Sequence, residues 1–276
     1  MTNYLVSYAT GKFLASQKVL AESAQRHGID KVVAWGRDTL EQTTFYKLHK
    51  DTLEQPRGAG FWLWKPFIIE RLLTKIAPGD VLVYLDAGME VISDLSPLLA
   101  LCIEKKGLLI FAGHYDDWGA PGANLCRKWT KRDCFVGMEC DEPRYHDGRM
   151  LDASLIVLAK TDASRAFVHE WSLYCRQSQL LTDEPNICGL PNFPDFIDHR
   201  HDQSILSLLA IRDRIEVFRH PSQFGNHMKE EQYRVPGEWK RYPYGEKGIF
   251  RNSPYATLLN HHRGRLDRLH RMIAAR

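Results

Sequence analysis

Along the first part of the chain, short apolar runs alternate with amphipathic segments. Tyr4-Leu5-Val6-Ser7-Tyr8 is a β-rich run that stops at Ala9-Thr10-Gly11. Residues 16–27 carry apolar positions at helical spacing, with Gly28 as a C-cap. Lys31-Val32-Val33-Ala34-Trp35 reads as a second strand. Strand, helix and strand within about 35 residues predict a βαβ unit and a parallel sheet. Further on, Gly58-Ala59-Gly60 predicts a mobile glycine loop that feeds the aromatic cluster Phe61-Trp62-Leu63-Trp64. Lys65 and Pro66 then open a helix whose apolar positions are Ile68, Ile69, Leu72, Leu73 and Ile76. After the turn Pro78-Gly79-Asp80, Val81-Leu82-Val83-Tyr84-Leu85 is an unbroken apolar run, the pattern of a central strand covered on both faces. It ends in Asp86-Ala87-Gly88. Leu108-Leu109-Ile110-Phe111 predicts another strand, ending at Ala112-Gly113-His114.

The periodicity fades between residues 115 and 150, which are polar and aromatic and read as an insertion or long loop region. Leu155-Ile156-Val157-Leu158 returns to strand and residues 163–177 to helix. A loop rich in proline and asparagine occupies residues 183–198, followed by a helix over Gln203–Ala210 and a last short strand over residues 215–218. No repeat, low-complexity tract or linker interrupts the chain. The expected architecture is α/β: one Rossmann-like domain over residues 1–276, with a mostly parallel central sheet and an irregular second half.

Composition narrows the class. The chain has 276 residues, of which 44% are hydrophobic and 26% charged, which excludes disordered, collagenous and coiled-coil proteins. No apolar run approaches the roughly 18 residues a membrane span needs. Met1-Thr2-Asn3-Tyr4-Leu5-Val6 lacks the basic and apolar regions of a signal peptide, so a soluble intracellular protein is expected. The six cysteines form no Cys-x-x-Cys pair and are expected to be reduced and buried. The net charge of +3 is unevenly spread. Residues 261–276 hold five arginines and one aspartate, whereas the rest of the chain is close to neutral. Leu266, Leu269, Met272 and Ile273 give that tail a helical apolar stripe. It reads either as a basic amphipathic helix on a membrane surface or as a terminal helix packed on the domain.

Ligands of open parallel sheets bind beyond the carboxyl ends of the strands. That rule selects Tyr8-Ala9-Thr10, Trp35 to Arg37 and, above all, Asp86-Ala87-Gly88. A carboxylate at the end of a buried strand is costly without a partner. Asp86 therefore either caps its turn or meets a metal ion, a ribose hydroxyl or a basic side chain.

The motifs in their order resemble nucleotide-sugar-dependent glycosyltransferases of the GT-A fold. Tyr84-Leu85-Asp86-Ala87-Gly88 resembles the Asp-x-Asp signature, and Asp152-Ala153-Ser154-Leu155-Ile156-Val157 resembles an acceptor-side motif placed before a strand. His201-Asp202-Gln203-Ser204 is similar to the Asp-Gln helix start of glycosyltransferase family 8, and His261-His262 to its late metal-binding histidine. Gly60-Phe61-Trp62-Leu63-Trp64-Lys65-Pro66 resembles bacterial enzymes that build surface polysaccharides such as O-antigen and capsule. The resemblance implies a hexosyltransferase-type enzyme that takes a UDP-sugar to a glycan or lipid-linked acceptor. It also implies a cytoplasmic location, peripheral at the inner face of the cytoplasmic membrane through the basic tail. Residues 1–114 would form the nucleotide-sugar half, 115–260 the acceptor-side half and 261–276 the tail.

The reaction sets requirements on the site. Negative charge grows on the leaving diphosphate, so cations and donors must be aimed at it. Arg57, Lys65 and Arg263 suit phosphate oxygens, and Tyr8, Ala9, Thr10, Trp64, Asp86, Ala87 and Gly88 complete the expected nucleotide-sugar site. Trp62, Trp64 and Trp118 read either as stacking faces for sugar or uracil or as core side chains. A divalent ion, Mn²⁺ or Mg²⁺, is the implied helper. Gly88 replaces the usual second carboxylate, which leaves Asp86 and His262 as its ligands, adds Glu90 if the strand stays extended, or leaves a metal-free site where Lys65 and Arg263 neutralise the diphosphate. Asp202 and Asp152 are the expected catalytic carboxylates, Asp202 ahead of Asp152. The structural alternatives are a helix N-cap for Asp202 and a surface lysine for Lys65. A rival class is a metal-dependent hydrolase built on His199, His201 and Asp202, but Gln203 and Ser204 break its motif. A nucleic-acid-binding role would rest on the arginine tail alone, since the body offers no broad basic face.

Overall fold

The computed structural model describes residues 1–113, 124–222 and 252–262. His114, Tyr115, Trp118, Arg263 and the tail over 264–276 lie outside the described residues. Six strands form one sheet in the order β2-β1-β3-β6-β5-β7, made of β1 (Asn3–Tyr8), β2 (Lys31–Trp35), β3 (Val81–Leu85), β5 (Leu108–Ala112), β6 (Leu151–Ala159) and β7 (Val217–Phe218). Only β6 among these runs antiparallel to its neighbours, so the sheet is mixed and mostly parallel, as expected. β4 (Met89–Val91) and β8 (Leu259–His261) pair antiparallel in a second, two-stranded sheet.

Each face of the main sheet has its own apolar layer. Leu82, Tyr84 and Ile156 face one cluster, covered by α2 (Trp64–Lys75), α4 (Asp162–Cys175) and α5 (Asp202–Arg212). Val81, Val83, Leu85 and Val157 face the other, covered by α1 (Leu14–Arg26) and α3 (Ser96–Glu104). Every residue of β3 is buried, which is why its sequence shows no polar alternation. Among the described residues Cys102, Cys126, Cys134, Cys140 and Cys175 are buried free thiols and Cys188 is half-buried. No helix among the described residues is long and apolar enough to cross a membrane.

Four local expectations change. β6 begins at Leu151, so Asp152 lies inside the strand rather than before it. A register shift at Ile110/Phe111 of β5 lets Phe111 and Ala112 pair with Asp152 and Leu151 and extends the strand. The region read as loop holds three short helices at Cys126–Trp129, Arg132–Gly137 and Pro143–His146, packed around Cys126, Cys134, Phe135 and Tyr145. Asp86-Ala87-Gly88 is a turn into the separate β4 sheet, so strand alternation does not carry from Asp86 to Glu90. Finally, Gly58–Phe61 is a left-handed turn with Gly60 buried.

Candidate active site

The site begins where β3 ends. Tyr84 is fully buried, and strand alternation puts it on the same side as Asp86, whose Oδ1 accepts its hydroxyl at 2.5 Å. The start of α2 delivers Lys65 to the same carboxylate, with Nζ 3.5 Å from Asp86 Oδ1. Lys65 is buried rather than a surface lysine. Its Nζ donates to the carbonyl of Ala153 at 3.0 Å and lies 3.1 Å from Asp202 Oδ2. Exposure ranks the members of this chain of charges. The Lys65 and Asp202 side chains are each 3% exposed, and that of Asp86 is 31% exposed, so a ligand meets Asp86 first.

Electrostatics follow from that burial. Desolvation pushes the Asp202 carboxyl up to about 7 against the pull of Lys65, with the Asp86 charge adding to the rise. Burial alone would lower Lys65, but Asp202, Asp86 and Asp152 outweigh it and raise its pKa, so the ammonium keeps its proton. Tyr84 is held well above its usual value, chiefly by burial and then by Asp86, and remains a hydrogen donor.

The backbone leading to each ion-pair partner is strained. Gly58, Ala59, Gly60, Phe61 and Trp62 all have positive φ, making a left-handed turn just before Lys65. Each non-glycine residue in that region costs roughly 1–2 kcal/mol. The glycines are required: a Cβ on Gly58 would run into the Trp62 ring, and one on Gly60 would sit 2.6 Å from Leu53 Cα. The Trp64 indole N–H pins the turn by donating to Gly58 O at 3.0 Å, and its ring stacks on Tyr8 at 4.2 Å. His201, directly before Asp202, also has positive φ, 51°. Its imidazole contacts Phe61 and Trp62, with ring centroids 5.0 and 5.5 Å away. The two strained segments thus pack on each other. His201 rather than Asp202 occupies the N-cap position, and Asp202 is the first residue of α5.

The histidines beside Asp202 are tied to backbone. His199 Nε2 pairs with Leu180 O at 2.9 Å while Nδ1 accepts the Lys131 N–H at 3.3 Å, and His201 Nδ1 pairs with Leu181 O at 2.7 Å. Burial lowers the pKa of both, that of His199 well below its usual value. His199 thus has both ring nitrogens committed to backbone and His201 its Nδ1, and among the described residues no group of three or more His, Cys, Asp or Glu side chains could hold the metal of a hydrolase.

Asp152 is 5% exposed, and its Oδ1 accepts the Ser154 N–H at 2.6 Å. The Ser154 carbonyl accepts the Asp86 N–H at 2.9 Å, which joins Asp152, Ser154 and Asp86 across β3 and β6. Tyr8 and Ala9 are buried at the end of β1, and Thr10 is the N-cap of the following turn. Arg57 has carboxylates of its own, Asp198 at 2.6 Å and Asp183 at 3.1 Å. His262 reaches the Asp86 turn through its backbone, with its N–H on Gly88 O at 2.9 Å. The structure therefore gathers Lys65, Asp86, Ala87, Gly88, Asp152, Asp202 and His262, and sets Arg57 in a separate ion-pair network. Tyr84 was missed in the sequence, although it lies two residues before Asp86 on the same strand face.

No protein-family model matches the chain, and no curated protein matches it. Among solved structures, the apo WbbM bifunctional glycosyltransferase is similar with TM-score 0.47 and 12% identity, over 80% of this chain and 39% of that one. Apo mouse xyloside xylosyltransferase 1 is similar with TM-score 0.47 and 10% identity, over 94% of this chain and 96% of that one. This chain thus spans well under half the length of the first and nearly all of the second.

Proposed function

We propose that the protein is a glycosyltransferase that moves a sugar from a nucleoside diphosphate sugar, a UDP-sugar by the order of its motifs, to a glycan or lipid-linked acceptor. The observation that carries this reading is the buried Lys65 held between Asp86 and Asp202 at the carboxyl edge of the parallel strands. In the reaction the acceptor oxygen forms the new bond to the anomeric carbon, and the old anomeric C–O bond leaves with its electron pair on the diphosphate. The acceptor proton must go to a base, and the sugar passes through a state with positive character. Asp86 is the open carboxylate on the donor side, and Asp202, ahead of Asp152, is the carboxylate for the proton or for the positive sugar. Asp202, poised near neutral pH, sets the charge of the site through Lys65, and Asp152 flanks it from β6.

Asp86 and His262 would hold a divalent ion, Mn²⁺ or Mg²⁺, together with the phosphates of the donor. Asp86 is partly open and His262 is stitched to its turn. Among the described residues no group of three or more His, Cys, Asp or Glu side chains could hold a metal, so the ion needs phosphate oxygens to complete its shell. Such an ion supplies positive charge to the leaving diphosphate. Bacterial surface polysaccharide as product, O-antigen or capsule, rests on the motifs around residues 60–66, and a peripheral membrane site on the arginine tail. Removing residues 264–276 should weaken binding to anionic vesicles more than turnover on a soluble acceptor.

Calorimetric titration of UDP into the wild type, Asp86→Ala and His262→Ala, each with EDTA or Mn²⁺, tests the donor site. UDP affinity should fall in Asp86→Ala and should gain from Mn²⁺ in the wild type alone. Unchanged affinity in Asp86→Ala retires the donor site, and equal affinity in EDTA and Mn²⁺ retires the metal.

A further inference from the structure

We infer that Tyr84 is a positioning residue that divides the Asp86 carboxylate into a committed oxygen, Oδ1, and an open one, Oδ2, through which Asp86 meets the nucleotide. The inference rests on the donor reading and concerns the same site. β3 is apolar at every other position, Val81, Leu82, Val83 and Leu85, and all five of its residues are buried. Tyr84 therefore carries the only polar side-chain atom of the strand, in a side chain that is fully buried. A hydroxyl so placed is costly unless it has a partner. Among the described residues its hydrogen-bond partner is Asp86 Oδ1, at 2.5 Å.

The bonds around Asp86 leave one atom over. Its N–H donates to Ser154 O at 2.9 Å, and its carbonyl accepts the Met89 N–H at 3.2 Å, so the main chain is fixed on both sides. Oδ1 holds Tyr84 and lies 3.5 Å from Lys65 Nζ, beyond ordinary hydrogen-bond distance. Among the described residues no hydrogen bond or ion pair engages Oδ2, and this oxygen is not buried. Lys65 explains why the carboxylate needs holding. Its ammonium has three donors. Ala153 O takes one at 3.0 Å and Asp202 Oδ2 lies at 3.1 Å, which leaves the third for Asp86. An ammonium and a carboxylate this close at the edge of a dry core attract, and Asp86 is drawn inward. Tyr84 opposes that closure by keeping Oδ1 in a short, charge-assisted hydrogen bond. With the hydroxyl gone, Oδ1 takes the third Lys65 N–H, the carboxylate turns, and Oδ2 leaves the donor side. Oδ2 is then a single-oxygen ligand whose partner is either a divalent ion on the diphosphate or a hydroxyl of the nucleotide.

The test is a calorimetric titration of UDP into the full chain, in Mn²⁺ and in EDTA, for the wild type, Tyr84→Phe, Asp86→Ala and the double variant. Tyr84→Phe keeps the buried ring, so the melting temperature should stay within about 4 °C of the wild type. Its UDP affinity in Mn²⁺ should fall about tenfold. A loss confined to the Mn²⁺ arm supports the inference with the ion as the partner of Oδ2. An equal loss in EDTA supports it with a nucleotide hydroxyl as that partner. In the Asp86→Ala background the same change should cost less than about twofold, because Tyr84 acts through that carboxylate. UDP affinity unchanged in Tyr84→Phe but lost in Asp86→Ala overturns the inference and leaves the donor reading standing. So does a tenfold loss that persists in the Asp86→Ala background, which would make Tyr84 a general structural support. If Asp86→Ala itself binds UDP as the wild type does, or the wild type binds none, the donor reading fails and takes the inference with it.

Discussion

Two buried lysine–aspartate pairs in this molecule look alike on a list of charges and differ in what surrounds them. Lys65 and Asp202 are each 3% exposed and 3.1 Å apart. Lys131 and Asp133 are 4% and 3% exposed and 3.9 Å apart. In the second pair the polar atoms are taken. Lys131 Nζ donates to the carbonyls of Glu184 at 2.7 Å and Thr182 at 3.4 Å. Asp133 accepts the N–H groups of Ile187 and Cys188 and the side-chain amide of Gln179. This pair is a clamp that fixes the loop over residues 183–198. In the first pair Asp202 Oδ2 faces Lys65 but receives no hydrogen bond of good geometry, and the third member, Asp86, opens to solvent. The acid constants record the difference. Burial pushes Asp202 up to about 7. At Asp133 the effect of burial is smaller and is outweighed by the donated hydrogen bonds, and the carboxyl sits below its usual value. Burial with full hydrogen bonding builds structure. Burial left short of partners leaves charge for a substrate to use.

The largest contrast should come from removing each lysine. Lys65→Met strips the counter-charge from the open cluster, and turnover should fall by more than about 10³-fold, beyond the loss of a single stabilising donor. Lys131→Met should cost about 3–5 kcal/mol of stability, the usual penalty for orphaning a buried partner, with turnover per folded molecule unchanged. Urea unfolding and active-site-normalised rates separate the two outcomes. Equal losses of turnover in both variants would erase the distinction drawn above.

The aspartates should divide the same way on a smaller scale. Asp202→Asn should lower kcat by about 10²- to 10³-fold and keep UDP affinity within about threefold. Asp133→Asn should lose about 2–3 kcal/mol of stability through its charged hydrogen bonds and keep kcat. Wild-type turnover in a folded Asp202→Asn protein would take Asp202 out of the mechanism.

The pH dependence of stability should carry opposite signs at the two sites. Asp202 has a raised folded pKa, so its contribution is complete below the unfolded value near 4 and is lost as pH rises through about 7. Asp133 has a lowered folded pKa, so its contribution is present above the unfolded value and is lost as pH falls through the folded one. Between pH 4 and 7, Asp202→Asn should therefore gain on the wild type as pH rises, whereas the deficit of Asp133→Asn should shrink only below about pH 4. Urea midpoints measured from about pH 2 to about pH 8 read both slopes.

What the sequence disclosed follows the range of the forces involved. β1, α1, β2 and β3 were legible because their sequence patterns are local: short β-rich runs, a helical stripe, an unbroken apolar run. Asp86 was legible because it ends such a run, and Asp202 because it starts a strongly periodic helix. The Lys131–Asp133 clamp was not legible, because its partners lie about fifty residues away and backbone N–H groups leave no mark in sequence. The β4–β8 pairing joins residues 89–91 to 259–261 and is equally silent. The left-handed turn is the sharpest case. Glycines at 58 and 60 signal unusual backbone, but nothing local says that Ala59, Phe61 and Trp62 adopt it too. Tertiary packing on His201 imposes it.

That strain gives the smallest and most discriminating test. Ala59 and Lys106 have similar left-handed φ, 53° and 61°, in different settings. Lys106 follows α3, where its N–H bonds Ile103 O at 3.2 Å and the next residue, Gly107, bonds Cys102 O at 2.8 Å, an ordinary helix stop. Ala59 lies in the turn that delivers Lys65. Glycine at either position removes a cost of about 1 kcal/mol and returns part of it through greater freedom of the unfolded chain. Each variant should therefore gain about 0.5 kcal/mol, a rise of about 1–2 °C in Tm. Lys106→Gly should leave turnover untouched. Ala59→Gly should lower kcat by about twofold or more, because a looser turn lets the Lys65 ammonium stray from Asp86 and Asp202. A gain in Tm with unchanged kcat in both variants would show that the strain at residues 58–62 has no bearing on Lys65, and the open ion cluster would then owe its geometry to packing alone.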